Sequence, residues 1–522
     1  MEERTKVIVI GLDGATWDLI KPWTEEGKLP TVKKLMEKGA WGVLESTIPP
    51  MSPPAWSTII TGVRPDKHGF FDFYYFKSGN LKIVNSKDIA SKKIWEVLDE
   101  YGHKQIIMNV PITYPPDKVS GCFISGMLTP SMESEFTYPS ELKTYLLKKG
   151  YEIETDPEEG VNTVRWKLLN GNVDVTDIVM KYNKDAGMKL EILVDLIKKE
   201  NANFVFFVLT GTDRLQHYLM GRDEILSHYM KIDDIIKRII DLNYFDDMIL
   251  ISDHGFSKIK KIFYLNTFLF DRGVLVPKGR LILLKRRIII YGIKLIKKLS
   301  KIGIPVGGFL AKQKLKGVGI AFDATKSKCY MYSHTSCGFF INERMGEKEN
   351  IKQKLIRELN GLKDSDGSCV MEAIPREKLY SGAYSNKIPD ILLNFKKGYT
   401  VSDFLIPPSM IRRGNYLLSP ENGPSFKNGD HTNDGIILLH GKHFNFFNKK
   451  SKINVHVEDI FPTILYLFGI SIPHYVDGKP IFEAFNKGLL EKNPPTYQID
   501  KVNTNLSKAI KRVKEKLKKR EK

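Results

Sequence analysis

The stretch Lys6-Val7-Ile8-Val9-Ile10-Gly11-Leu12-Asp13-Gly14 decides the fold. Four consecutive β-branched residues closed by glycines read as a strand buried on both faces and ending in a loop, which puts Asp13 at a strand's carboxyl end. Runs of the same kind recur at 105–108, 204–209 and 248–251, with long stretches of helical character between them, such as the amphipathic segment 188–199. This alternation predicts an α/β fold with a doubly wound, mostly parallel central sheet. In such sheets ligands bind beyond the carboxyl ends of the strands, so acidic residues and histidines that follow an apolar run are candidates for chemistry. Asp13, Asp213 and the adjacent Asp253 and His254 all stand in such places.

The chain has 522 residues, 42% hydrophobic and 11% aromatic, which suits one large core with an added piece. Its four cysteines lie far apart without a CxxC pair, which argues against a zinc knuckle or a disulfide framework. No apolar run reaches the roughly 18 residues of a membrane span, and the one near the start is too short for a signal-peptide core. A cytoplasmic location is therefore expected, with peripheral contact to a membrane as its variant.

Lys and Arg outnumber Asp and Glu by 80 to 61, a net charge of +19. Thirteen basic residues and no acidic one fall within 272–322, among them Lys285, Arg286, Arg287, Lys294, Lys297 and Lys298. That block breaks the α/β rhythm. The expected organisation is a core of 1–271 and 321–485, a basic inserted cap of 272–320, and a basic tail of 486–522 with a narrow apolar stripe of Ala509, Ile510, Val513 and Leu517. The middle of the cap alternates apolar and basic clusters, as an interfacial helix would, so an anionic substrate or an anionic membrane surface is the expected partner. The alternative is that its apolar residues pack on the core while its lysines solubilise the outer face. Nucleic acid is not expected, because the block lacks interleaved stacking aromatics and offers, before its last residue, Tyr291 and Phe309 alone.

The candidate metal ligands run in order: Asp13, Asp213 with His217 four residues on, Asp253 with His254, and His431 in Gly429-Asp430-His431-Thr432-Asn433-Asp434-Gly435. Three carboxylates and three imidazoles suit two divalent ions with mixed oxygen and nitrogen ligands, zinc first and manganese second. A seventh candidate stands in Pro49-Pro50-Met51-Ser52-Pro53-Pro54-Ala55-Trp56. The prolines stiffen the backbone and a helix can run over 55–60, so Ser52 is presented near a helix N-terminus, where an incoming anion is favoured.

Gly11-Leu12-Asp13-Gly14, the segment 52–62 running into His68-Gly69, Asp213 with His217, Asp253-His254-Gly255-Phe256 and His431 resemble, in that order, the metal and nucleophile motifs of type I phosphodiesterases and nucleotide pyrophosphatases, a branch of the alkaline phosphatase superfamily. The resemblance spans 4–482 and includes Asp459-Ile460-Phe461-Pro462-Thr463-Ile464-Leu465 and Asp477-Gly478-Lys479-Pro480, which look like that superfamily's closing helix and final strand. It implies an alkaline phosphatase-like core and a two-metal phosphohydrolase, phosphodiesterase or phosphomonoesterase, working through a phosphoserine on Ser52. Asp13, Ser52, Asp253 and His254 would surround one ion; Asp213, His217 and His431 would hold the other. The implied substrate is a phosphate ester on a small molecule or a lipid head group. His68, in a Pro-x-x-His-Gly turn, is read as structural.

Two departures bear on substrate. Ser52 stands where nucleotide pyrophosphatases usually have threonine, and Phe73 about where they have an asparagine that holds a phosphoryl oxygen. Asn109, at the end of the 105–108 run, is the candidate replacement donor. A sulfatase would need an arginine where Trp56 stands, and a cofactor-independent phosphoglycerate mutase carries its insertion soon after the nucleophile rather than after Asp253-His254. The alternatives left open are a phosphomutase of the same superfamily and a non-catalytic basic protein that binds membrane surfaces.

Overall fold

The computed structural model describes residues 4–77, 80–153, 174–279, 281–301, 321–343, 348–411, 414–425, 427–444 and 453–498. Its centre is a nine-stranded sheet. The strands, in chain order, are β1 (Val7–Leu12), β2 (Ala40–Glu45), β3 (Gln105–Met108), β4 (Gly121–Ile124), β5 (Thr137–Tyr138), β6 (Phe204–Leu209), β7 (Asp247–Ile251), β8 (Asp434–Gly441) and β9 (Ile453–His456). They lie side by side as β9-β2-β8-β7-β1-β6-β3-β4-β5. The run β7-β1-β6-β3-β4 is parallel throughout, and β2 pairs parallel with β9. Only β8 and the edge strand β5 run the other way.

The apolar runs are continuous because both faces of the sheet are covered. Ile8, Ile10 and Leu12 of β1 join one core with Val205, Phe207 and Leu209 of β6, against the helices Val175–Glu200 and Ile225–Asp241. Val7, Val9, Phe204, Phe206 and Val208 point the other way, into a second core built with the helices Ser52–Thr61, Ile94–Glu100 and Ile460–Leu467. The sequence motif 459–465 thus lies on a helix as expected. Asp477-Gly478-Lys479-Pro480 forms no strand: the Asp477 carboxylate accepts from the Arg64 amide at 2.9 Å and pairs with Lys67 Nζ at 2.6 Å, which ties this segment to the turn after the Ser52 helix rather than to a sheet edge.

A smaller lobe has its own core, formed by residues from Phe263 to Leu417. It contains the sheet of Cys329–Tyr330, Gly338–Ile341, Ile391–Phe395 and Met371–Pro375, and the helix Lys348–Asn360. The basic block contributes the helix Leu281–Lys301, whose Ile282 and Leu283 pack on this core. Arg280, most of the remainder of the expected cap (302–320) and the stripe Ala509 to Leu517 lie outside the described residues. No described helix is long and apolar enough to cross a membrane.

One close approach fixes the sheet against the Ser52 helix. A Cβ on Gly11 would sit 2.5 Å from Trp56 Cη2 and 2.9 Å from Val208 Cγ2, so only glycine lets the fully buried Trp56 lie across β1. Gly11→Val should cost about 1–3 kcal/mol through overpacking, read as a lower urea midpoint at unchanged m-value. An unchanged midpoint would show that this contact does not constrain the fold.

Candidate active site

The parallel strands deliver their chemistry to one edge. β1 ends at Leu12 and hands over to Asp13; β6 ends at Leu209 and runs into the buried helix Gly211–Leu219, which carries Asp213 and, one turn on, His217; β7 ends at Ile251, two residues before Asp253 and His254. Because β8 is antiparallel, its first residue, Asp434, lies at this same edge. The strand just before it, Gly429–Thr432, pairs antiparallel with Gly255–Lys258 and places His431 opposite Phe256. β2 also ends here, and the chain passes through Pro50 to Ser52 at the first position of its helix.

Seven residues singled out in the sequence therefore meet. Ser52 Oγ lies 3.4 Å from His254 Nε2, which is 3.3 Å from Asp253 Oδ2 and 3.7 Å from Asp13 Oδ1. Beside this group, His431 Nε2 lies 3.0 Å from Asp213 Oδ1 and 3.2 Å from His217 Nε2, and His217 Nε2 lies 3.5 Å from the same Asp213 oxygen. The rings of His254 and His431 stack with centroids 3.8 Å apart and join the two groups. Asp430, adjacent in sequence to His431, adds a carboxylate within reach of His217.

All three histidines are oriented in one way. Nδ1 of His254, His217 and His431 faces the backbone carbonyl of Gly255, Gly429 and Pro50, at 3.1, 3.3 and 3.0 Å. A carbonyl can only accept, so Nδ1 donates and each Nε2 turns a lone pair inward, as it does in histidines that ligate metals. The carboxylates match: Asp13 Oδ1 and Asp253 Oδ2 are buried and have no hydrogen-bond donor among the described residues, while their second oxygens accept from Trp56 Nε1 and from the Gly14 amide, each at 3.1 Å. Gly14 presents that amide from a positive φ of 66°, a conformation that favours glycine.

Electrostatics weigh against this assembly without a cation. Burial, then the charges of Asp253 and Asp213, push the Asp13 carboxyl well above the ordinary carboxylate range. Burial lifts Asp253 to about 7. Burial lowers His254 well below the imidazole range and takes His217 down to about 3, so both are neutral and free to ligate. Asp213 differs: burial opposes its charge, but His217, His431 and Arg214 hold its carboxyl well below the usual range. At His431 the Asp213 carboxylate outweighs burial and raises the pKa.

Residues that the sequence left unassigned complete the site. Trp56 holds Asp13, Arg214 Nη1 donates to Asp213 Oδ2 at 3.0 Å, and Thr212 and Gln216 tie the Asp13–Gly14 backbone to the Asp213 helix, with the Tyr229 hydroxyl donating to Gln216 Oε1. Adjacency offered a signal for Arg214 and Asp430; for Trp56 there was none. A cavity of about 340 Å³ opens on Ser52, Asp213, His217 and His431, walled by Phe73, Tyr74, Arg214, Phe404 and Lys427 among others. Asn109 is not among the described residues lining it. Its Oδ1 accepts from the Tyr151 hydroxyl, and its buried Nδ2 has no partner among the described residues. His68 is buried and bridges Thr58 Oγ1 and the Phe70 amide.

The family model described as type I phosphodiesterase / nucleotide pyrophosphatase matches residues 7–405. The chain belongs to that family. Its members hydrolyse phosphoric esters, and the chain is an enzyme of this class. Among solved structures, phosphonoacetate hydrolase from Sinorhizobium meliloti 1021, in complex with phosphonoacetate, superposes with a TM-score of 0.54 at 14% identity, over 89% of this chain and 95% of that one. Murine ectonucleotide pyrophosphatase / phosphodiesterase 5 gives 0.48 at 14% identity, over 92% and 98%. No curated protein sequence matches. Family and fold agree with an alkaline phosphatase-like core around a mostly parallel sheet.

The raised Asp253 pKa gives a signed expectation for the metal-stripped protein. A carboxyl lifted from 3.8 to about 7 on folding makes the native state lose stability as pH rises from roughly 4 to 7. The carboxamide of an Asp253→Asn variant does not titrate. The stability of that variant minus that of wild type, measured by urea unfolding in chelator, should therefore grow across that window and level off above it. A difference that is flat with pH would contradict the carboxyl's burial against other charges.

Proposed function

We propose that the chain hydrolyses phosphate esters at a two-cation centre, with Ser52 as the nucleophile that takes up the phosphoryl group. One observation supports this best: His217 Nε2, His431 Nε2 and Asp213 Oδ1 face one another at 3.0 to 3.5 Å, all as acceptors when the Nδ1 atoms donate. Such a cluster calls for a cation, and the unpartnered oxygens of Asp13 and Asp253 call for another. Asp13, Asp253 and His254 would hold one ion beside Ser52; Asp213, His217 and His431, with Asp430 at hand, would hold the other. The mixed oxygen and nitrogen set suits zinc, and manganese next. Divalent ions bound there would supply Lewis-acid charge that stabilises phosphoryl oxygens and lowers the proton affinity of the Ser52 hydroxyl.

The chain's own residues supply the rest. Ser52 opens its helix with Pro53 and Pro54 next, which lack N–H groups, so its own amide is the first-turn donor turned toward an anion. Its Oγ attacks phosphorus, an Oγ–P bond forms, and the bond to the ester oxygen breaks. The serine proton passes to solvent through the cavity, and the departing alkoxide takes one up. Water then cleaves the phosphoserine and restores the hydroxyl. Arg214 and Lys427 bring positive charge to the wall where Phe73 offers no hydrogen bond. Asn109 could add its free Nδ2 only by turning toward the cavity.

Ser52→Ala should lower turnover of bis-p-nitrophenyl phosphate or p-nitrophenyl phosphate, assayed with zinc and with manganese, by about a thousandfold or more, the scale on which nucleophile deletions act. Ser52→Thr should keep a measurable fraction. Acid-quenched protein should yield phosphate on the peptide containing Ser52; phosphate on another peptide, or full activity in Ser52→Ala, would refute the assignment.

A further inference from the structure

We propose that the Leu281–Lys301 helix docks the protein on an anionic phospholipid bilayer, through an exposed apolar stripe flanked by basic side chains. Twelve large hydrophobic residues are exposed among the described residues, and five of them lie on this helix: Leu281, Leu284, Ile288, Tyr291 and Leu295, each between 53% and 68% exposed. The other seven are scattered singly along the chain. With 3.6 residues per turn, the five fall within an arc of about 80°. Lys285 borders the arc on one side; Arg287, Lys294 and Lys298, all exposed, border it on the other.

The opposite face is fixed to the protein, so the helix cannot roll over to bury the stripe. Arg286 is buried with its guanidinium 4.4 Å from the Phe404 ring centroid, Ile290 packs with Ile259, Ile262, Tyr264 and Ile406, and Ile293 is buried. Lys297 donates to the carbonyls of Pro420, Gly423 and Ser425 at 2.5 to 2.7 Å. The expectation that the apolar residues pack inward while lysines solubilise the surface thus holds for only part of the helix.

Charge selects the occupant. No acidic residue occurs anywhere in 272–322, so a surface that meets this stripe over its basic rims must itself be anionic. The basic side chains rule out a spanning orientation and suit one in the interface, with the apolar face roughly 5–10 Å into the head-group boundary. The docked helix would lie beside the catalytic cavity, because Ile259, Ile262, Phe404 and Ser425, which its inner face braces, line that cavity.

Co-sedimentation of the full chain with vesicles tests this directly. Vesicles of phosphatidylcholine with one-third phosphatidylglycerol should pellet the wild-type protein at low salt, pure phosphatidylcholine should pellet much less, and raised salt should weaken binding. The triple variant Ile288→Asp, Tyr291→Asp, Leu295→Asp, and separately Lys285→Glu, Arg287→Glu, Lys294→Glu, Lys298→Glu, should each lose about tenfold or more in vesicle affinity. Both variants should keep wild-type turnover of p-nitrophenyl phosphate, which shows that they fold. Wild-type protein that ignores anionic vesicles, or folded variants that bind them as wild type does, would overturn the proposal. So would a wild-type dimer in sedimentation velocity that the triple aspartate variant splits while vesicles bind neither protein, because the stripe would then belong to a second copy.

Discussion

The constraint on which the rest of the structure depends is the burial of three carboxylates, Asp13, Asp213 and Asp253, against one another and three imidazoles, with the Arg214 guanidinium on Asp213. Asp13 and Asp253 bring oxygens within 4.8 Å. At an effective dielectric constant near 20, two full charges at that separation repel by on the order of 3–4 kcal/mol, before any cost of leaving water. A fold of ordinary stability keeps such groups together only with a counter-charge or with protons on the acids. The doubly wound sheet is what gathers them. β1, β6 and β7 are neighbours in space though far apart in sequence, and their carboxyl ends carry one acid each. Reversed β8 then brings the segment with His431 to the same edge, where parallel topology alone would have put it at the far side.

Much of this was legible in the sequence, for a physical reason. Strands buried on both faces leave continuous β-branched or aromatic runs, so β1, β6 and β7 stood out, and an acid directly after such a run is placed by topology rather than by chance. The proline-flanked Ser52 announced a helix start in the same way. Contacts across the fold were not legible. Nothing in Ser57-Thr58 or Pro53-Pro54 marks the indole of Trp56 as the donor that holds Asp13, because that bond joins residues 43 positions apart. Asp477-Gly478-Lys479-Pro480 has the look of a strand end, yet Asp477 is engaged by Arg64 and Lys67 and the segment stays unpaired. The charge count of 272–322 likewise located a surface feature without showing which way its apolar residues face. That depended on Phe404, far downstream, taking Arg286.

Chemistry and cavity wall come from different parts of the chain. The candidate ligands belong to the edge of the central sheet, whereas Ser333, His334, Thr335 and the run from Thr400 to Phe404 reach the cavity from the smaller lobe. Changes in that wall can alter which ester fits without touching the ligand set, as in folds that host many substrates on one catalytic frame. Phe73 is part of that wall.

The central claim, that the buried acids and imidazoles exist to hold two cations, is tested most directly by anomalous scattering from crystals grown with manganese or zinc, using data collected on either side of the metal's absorption edge. Two difference peaks should appear, one bounded by Asp13, Asp253 and His254 next to Ser52, the other by His217 and His431 with Asp213 between. A single peak, or none at these residues when the crystals demonstrably contain metal, would contradict it.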